Sequence, residues 1–190
     1  MVDRERKKVT RMEVIKAIHS LSAKKASGPD KFSGEVYERP PGLAEPLTEL
    51  LNLVYSTGHI PKALRQAFLI PLPKSGKDPH DTAPRRPITL LNTAAKLIEA
   101  VVYHRILPQI EPRLSPAQYA SRTNCSTEMC MTEIMDAAHR GLRRGRWCYL
   151  ASLDIAGAFD NVSHSKLAEA VKTFGVDGHS RRLLKSNLQS

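Results

Sequence analysis

The chain has 190 residues, 41% apolar, 25% charged and 5% aromatic, with 29 Lys and Arg against 19 Asp and Glu for a net charge of +10. That much apolar mass suffices for a folded core and argues against wholesale disorder, and the positive balance favours a polyanionic partner, nucleic acid before an anionic membrane surface. No run approaches the ~18 apolar residues of a membrane span, Met1–Lys8 lacks the apolar stretch of a secretory signal, and Cys125, Cys130 and Cys148 are too few for a disulfide framework. The expected location is therefore intracellular, nuclear or cytoplasmic, and not secreted.

Thr10 and Glu13 stand at capping-box spacing. Val14, Ile15, Ile18 and Leu21 recur at helical spacing and predict a helix ending near Lys24. Gly28 and Pro29 break regular structure in the turn Ala26–Asp30. A second helix is expected from Leu43 or Ala44 to about Tyr55, with Leu47, Leu50, Leu51 and Val54 as its stripe and Gly58 and Pro61 as stop signals. Ala67–Leu72 reads as a short strand; Pro71 has no N–H, so it belongs at an edge or at the strand's end. A turn with Lys74, Gly76 and Lys77 leads to a second extended run, Arg85–Leu91.

A helix from Thr93 carries Leu97, Val101 and Ile106, and Pro108 kinks or ends it. Ser126 caps a further helix through Leu142, with Gly141 and Gly145 at its exit. Trp147–Ile155 reads as a buried strand. A tight loop with Gly157 follows, then a helix from about Ser163 to Phe174 with Gly175 as its C-cap. Arg181–Lys185 again looks helical. Few strands separated by helices suit an α+β domain better than a doubly wound one.

The most informative segment is Leu153–Asp160. Asp154 closes an apolar run, and a small-residue turn brings a second acid, Asp160. A carboxylate at a strand end can be held rigidly at the edge of a core and still face solvent, which suits a hard Mg²⁺ ion. Ala156, Gly157 and Ala158 leave room for a ligand. The same pattern also fits a strand that merely ends in Asp, followed by an Asp that caps or solvates the next helix, and the residues alone leave both open.

Lys74 and Lys77 with Arg85 and Arg86 could cradle a triphosphate. Arg140, Arg143, Arg144 and Arg146 suit the negative end of a helix dipole and a solvated face; their contacts with phosphate would be salt-sensitive. Neither GxxxxGK[ST] nor GxGxxG is present, and none of the seven histidines lies in HExxH. Cys125, Cys130, His139 and Cys148 miss zinc-ligand spacing, so the cysteines read as buried small apolar residues. Met129, Met131 and Met135 read as core filling.

Taken in order, six blocks resemble the N-terminal part of a non-LTR (LINE-like) retrotransposon reverse transcriptase, over about Val9 to Val176. Lys25–Asp30 resembles K-A-x-G-x-D. Ile60–Ala63 and Ile70–Asp78 resemble the fingers strand and turn. Arg86–Asn92 with Lys96 resembles R-P-I-S-L-L. Leu114–Tyr119 and Arg122–Thr127 resemble Q-Y-G-F-R-x-x-x-S-T. Leu153–Val162 resembles motif A, L-D-x-x-x-A-F-D-x-V.

The resemblance implies RNA-directed DNA polymerisation on a right-hand fold: a helical extension over 1–60, a fingers-like region over 61–145 and a truncated partial palm over 146–190. It implies an RNA template, a DNA primer, a deoxynucleoside triphosphate and two Mg²⁺ ions, and no membrane. Asp154 would be catalytic and bind both ions, with the Ile155 backbone beside it. Lys74 and Arg86 would contact the triphosphate, and Phe159 would lie beneath the incoming sugar. Gln118 and Arg122 would serve fingers packing and template contact, and Arg143 and Arg144 would meet nucleic acid. Asp160 would act structurally at the helix start. In such a mechanism one ion acidifies the primer hydroxyl, the second stabilises the leaving pyrophosphate, and the fingers cations neutralise the triphosphate.

The departures are specific. The 190 residues contain no Asp-Asp pair, and after Asp160 the only acids are Glu169 and Asp177. Arg85 stands where an aromatic is usual, and Ala120 and Ser121 replace Gly-Phe. The expectation is a fragment of the polymerase that is inactive alone, or a non-catalytic nucleic-acid-binding or interaction module derived from one.

Overall fold

The structure, a computed structural model, describes residues 8–21, 26–38, 42–72 and 86–188. The chain forms two compact units, Met1–Leu107 with Val176–Ser190, and Pro108–Gly175.

In the first unit, helix α1 spans Arg11–Ser20. Its capping box is closed in both directions: Glu13 N–H donates to Thr10 Oγ1 at 3.3 Å, and Thr10 N–H donates to Glu13 Oε2 at 2.8 Å. Replacing Thr10 with Ala should lower the urea-unfolding free energy by about 1 kcal/mol; an unchanged midpoint would show the cap to be idle. The helix stops at Ser20, short of the expected Lys24. Ser20 Oγ donates to Ala17 O at 2.6 Å, a local bond that competes with the helical ladder, and Leu21 is already extended.

A one-turn helix α2, Glu35–Glu38, was not foreseen; four residues give too little periodicity to read. Helix α3 spans Ala44–Thr57 and ends as expected at Gly58, whose φ of 67° is a left-handed cap that glycine adopts freely. Strands β1, Ala67–Leu72, and β2, Arg86–Leu91, pair antiparallel. Pro71 faces Pro87, so the two missing N–H groups fall on a single rung. Helix α4 runs Thr93–Ile110, with Pro108 inside its last turn. The chain returns to this unit as helix α7, Gly178–Leu188. Val14 and Ile18 of α1, Leu51 and Val54 of α3, Leu97 and Val101 of α4 and Leu183 of α7 share one core. Helices with a small sheet make this an α+β fold.

A polar cluster accompanies that core. Arg105 on α4 forks the Glu13 carboxylate at 2.7 and 2.9 Å, donates to Lys8 O at 2.5 Å, and lies 4.5 Å over the Tyr55 ring. Tyr55 Oη shares a hydrogen at 2.5 Å with the buried Ser180 hydroxyl of α7. One cation thus ties together α1, α3 and α4, and the tyrosine beneath it reaches α7.

In the second unit, a short turn Glu111–Arg113 leads through a loop to helix α5, Thr127–Arg143, capped by Ser126 as expected. Helix α6 spans His164–Thr173, capped by Ser163. Two expectations fail here. Trp147–Ile155 is neither a strand nor buried: Trp147, Tyr149 and Leu153 are 87%, 92% and 93% exposed. Its alternation has the form of a strand, but a strand forms only with a ladder partner, and β1 and β2 pair with each other. Met129, Met131 and Met135 are half-exposed rather than core, because no residue of α5 is buried. Cys148 is exposed too, while Cys125 and Cys130 are partly covered. Among the described residues, no helix is long and apolar enough to cross a membrane.

Candidate active site

Asp154 sits where the chain passes from the exposed run into a laced turn. The run leaves α5 with Arg146 N–H bonded to Gly141 O at 3.1 Å. Cys148 then packs its sulfur so close to Gly141 that a Cβ there would come within 2.5 Å of Sγ. After Asp154 the chain reverses at Gly157, whose φ is 58°. Asn161 closes the turn, its N–H donating to Gly157 O at 2.9 Å and its Nδ2 to Ala156 O at 3.0 Å. Asp154 is exposed and accepts no hydrogen bond among the described residues. Ile155 and Phe159 are exposed beside it. The start of α6 is capped by Ser163, three residues beyond Asp160.

A free, solvent-facing carboxylate is the donor type that Mg²⁺ takes. It is one ligand and not a site: among the described residues, no group of three or more His, Cys, Asp or Glu could hold a metal. The residues present therefore fit a shared site and do not form a two-ion site by themselves.

The cations divide between the units. Arg86 is exposed at the start of β2 in the first unit. Lys74, with Lys77 and Arg85, lies outside the described residues. In the second unit Arg122 is largely buried: Nε donates to Glu111 Oε1 at 2.8 Å, and one terminal nitrogen donates to Ser115 O at 2.9 Å and Gln118 O at 3.4 Å. Its guanidinium braces the loop that carries Gln118, whose own amide donates to Ala120 O at 3.1 Å. Arg140, Arg143, Arg144 and Arg146 are exposed around the end of α5, and none is ion-paired among the described residues. They remain available to phosphates.

One arrangement was missed by reading along the chain. Asp30 and the β2–α4 junction, picked out separately, bind each other. Thr93 N–H donates to Asp30 Oδ2 at 2.6 Å, so Asp30 caps α4 from far upstream. Asn92, the cap by position, instead accepts from Asp30 N–H at 2.9 Å and donates to Ala63 O at 2.8 Å. Thr93 Oγ1 donates to Phe32 O at 2.5 Å, and Lys96 Nζ to Ala26 O at 3.0 Å. Gly28 lies against Leu91, where any Cβ would sit 2.3 Å from the carbonyl oxygen. This clamp fixes the far end of the strand that begins with Arg86. The only sequence signal was that both blocks are dense in turn and cap residues.

The reverse transcriptase (RNA-dependent DNA polymerase) family profile matches residues 72–190. The chain is 30% identical over 167 residues to the RNA-directed DNA polymerase from mobile element jockey of Drosophila melanogaster, covering 86% of this chain and 18% of that protein. It is 28% identical over 163 residues to a probable RNA-directed DNA polymerase from transposon BS of the same species, covering 84% of this chain and 18% of that protein. A Pol polyprotein from the type-2 retrotransposable element R2DM is 24% identical over 160 residues, 82% of this chain and 14% of the polyprotein. The chain thus spans less than a fifth of the length of these relatives. With its motif order, its Asp154 segment and these matches in agreement, the chain belongs to the reverse transcriptase family, among the non-LTR retrotransposon proteins.

Proposed function

We propose that this chain supplies the fingers and the first palm carboxylate of an RNA-directed DNA polymerase with a right-hand fold. Residues 1–60 form the helical extension, 61–145 the fingers-like region and 146–190 the start of the palm. The carrying observation is Asp154: solvent-facing, without a partner among the described residues, and followed by a turn that Gly157 and Asn161 close. Asp154, with the Ile155 backbone, would be one oxygen ligand of a Mg²⁺ site completed by carboxylates that these residues do not contain. Lys74 and Arg86 would bind the triphosphate of the incoming nucleotide, and Phe159 would bear on its sugar. Gln118, on the loop that Arg122 braces, would face the RNA template. Arg143 and Arg144 would hold the phosphates of the RNA–DNA hybrid.

The exposed arginines around the end of α5, Arg140, Arg143, Arg144 and Arg146, favour a second reading of these 190 residues, a nucleic-acid binder without turnover. A primer-extension assay beside a hybrid-binding titration tests both. The expected outcome is salt-sensitive binding of an RNA–DNA hybrid and no nucleotide incorporation, with or without Asp154→Asn. Replacing Arg143 and Arg144 by Ala should reduce the slope of log affinity against log salt by roughly 2. Incorporation that the Asn substitution abolishes would show that this carboxylate works without an Asp pair. Failure to bind the hybrid would remove the nucleic-acid role.

A further inference from the structure

We propose that Arg113 is a positioning residue for nucleic-acid binding: it seats the loop that carries Gln118 on the C-terminal end of α6. Its Nη1 donates at 3.0 Å to the carbonyl of Thr173, the last residue of α6. The final turn of a helix leaves carbonyls without intrahelical donors. Here Phe174 N–H takes Ala170 O at 2.8 Å, and Gly175 N–H takes Lys172 O at 2.9 Å. Thr173 O is taken by a cation 60 residues upstream, at the negative end of the helix dipole. The guanidinium also lies against Gly175, where a Cβ would stand 3.1 Å from Nη2, 3.2 Å from Nη1 and 3.3 Å from Cζ. With φ at 73°, glycine serves this position twice, by its left-handed backbone and by leaving room for the arginine.

The other hydrogen bonds of the loop close within it. Leu114 N–H donates to Glu111 O at 3.3 Å, and Gln118 N–H donates to Ser115 O at 3.0 Å. The Gln118 amide and the Arg122 guanidinium likewise find their acceptors between Glu111 and Ala120. Arg122 therefore sets the internal shape of the loop, and Arg113 sets where that shape sits on its unit. The loop, Arg113 and α6 all belong to the unit Pro108–Gly175. Since α6 is the helix that follows the Asp154 turn, the tether holds Gln118 in register with that part of the unit. This role rests on the proposed contact of Gln118 with the template.

Hybrid binding by the 190-residue chain tests it, with an RNA–DNA hybrid that carries a single-stranded RNA template overhang as the probe. Gln118→Ala should weaken binding. Arg113→Ala should weaken it about threefold and leave the slope of log affinity against log salt unchanged, because a tether neutralises no phosphate. Arg113→Lys should recover most of the loss, since an ammonium can still donate to Thr173 O. In the Gln118→Ala background, Arg113→Ala should cause no further loss. Without nucleic acid, Arg113→Ala should lower the amide order parameters of 114–121 while those of α5 and α6 hold. Both side chains are exposed, so circular dichroism should show every variant folded. Unchanged order parameters overturn the proposal, as does full additivity with Gln118→Ala. A salt slope reduced by about 1 does the same, because it marks a direct phosphate contact. Wild-type affinity in Arg113→Ala beside a weakened Gln118→Ala sinks this role alone. Wild-type affinity in Gln118→Ala itself sinks the template contact, and this role with it.

Discussion

Gly28→Ala should be among the most damaging single substitutions in the first unit, lowering its unfolding free energy by about 3 kcal/mol. Its Cβ would lie 2.3 Å from Leu91 O, 2.4 Å from Leu91 C and 2.6 Å from Asn92 N. These are backbone atoms, with no flexible side-chain end to swing aside. The loop must lift, and lifting it withdraws Asp30 from Thr93 N–H and from Asn92. Both Asn92 and Thr93 are buried, so their polar groups would lose partners where water cannot replace them. The check is urea unfolding followed by hydrogen exchange at the Thr93 amide. Wild-type stability with a protected Thr93 amide would mean that the 26–30 turn does not clamp α4.

Arg105→Ala should lower stability by about 2–3 kcal/mol. The Arg105 side chain is 12% exposed and the Glu13 side chain 33%. Removing the arginine leaves that carboxylate half-covered without its fork, frees the Lys8 carbonyl and uncovers the Tyr55 ring. The pH dependence follows from Glu13. Burial pushes its carboxyl up, but the hydrogen bonds from Arg105 and Thr10 outweigh burial and hold it below the usual carboxylate range. A lowered folded pKa means that the contribution is complete above the ordinary carboxylate range and is lost as pH falls through the lowered value. Wild type should therefore lose part of its stability on acidification. In the Arg105→Ala variant burial acts with less opposition, so that part of the acid loss should shrink. Urea midpoints at neutral and acid pH for the two proteins decide the matter; parallel acid losses would contradict it.

What could be read along the chain was what short spacing controls. Thr10 with Glu13, Ser126, Ser163 and the Gly58 cap each act within a few residues, and each lies where local rules place it. The β1 and β2 runs were legible from their composition and proline positions. What could not be read depends on partners distant in sequence. Asp30 caps a helix that starts 63 residues later, and Arg105 meets Glu13 across 92; neither pairing leaves a periodic trace. The Trp147–Ile155 run shows the converse failure. Its apolar alternation reports what the segment can pair with, and burial requires a partner strand that the described residues do not provide. Asp154 itself was legible as a solvent-facing acid behind an apolar run. Asn161, which laces the turn beyond it, was not, because its role depends on the left-handed backbone at Gly157.

The most direct test of the central claim, that Asp154 presents a free carboxylate to divalent cations, is Mn²⁺-induced broadening of amide resonances. A Mn²⁺ titration of the chain should broaden the amides around Asp154 and Ile155 first, and Asp154→Asn should remove that effect while leaving the rest of the spectrum in place. Broadening spread evenly over all exposed acids, or unchanged by the Asn substitution, would contradict it.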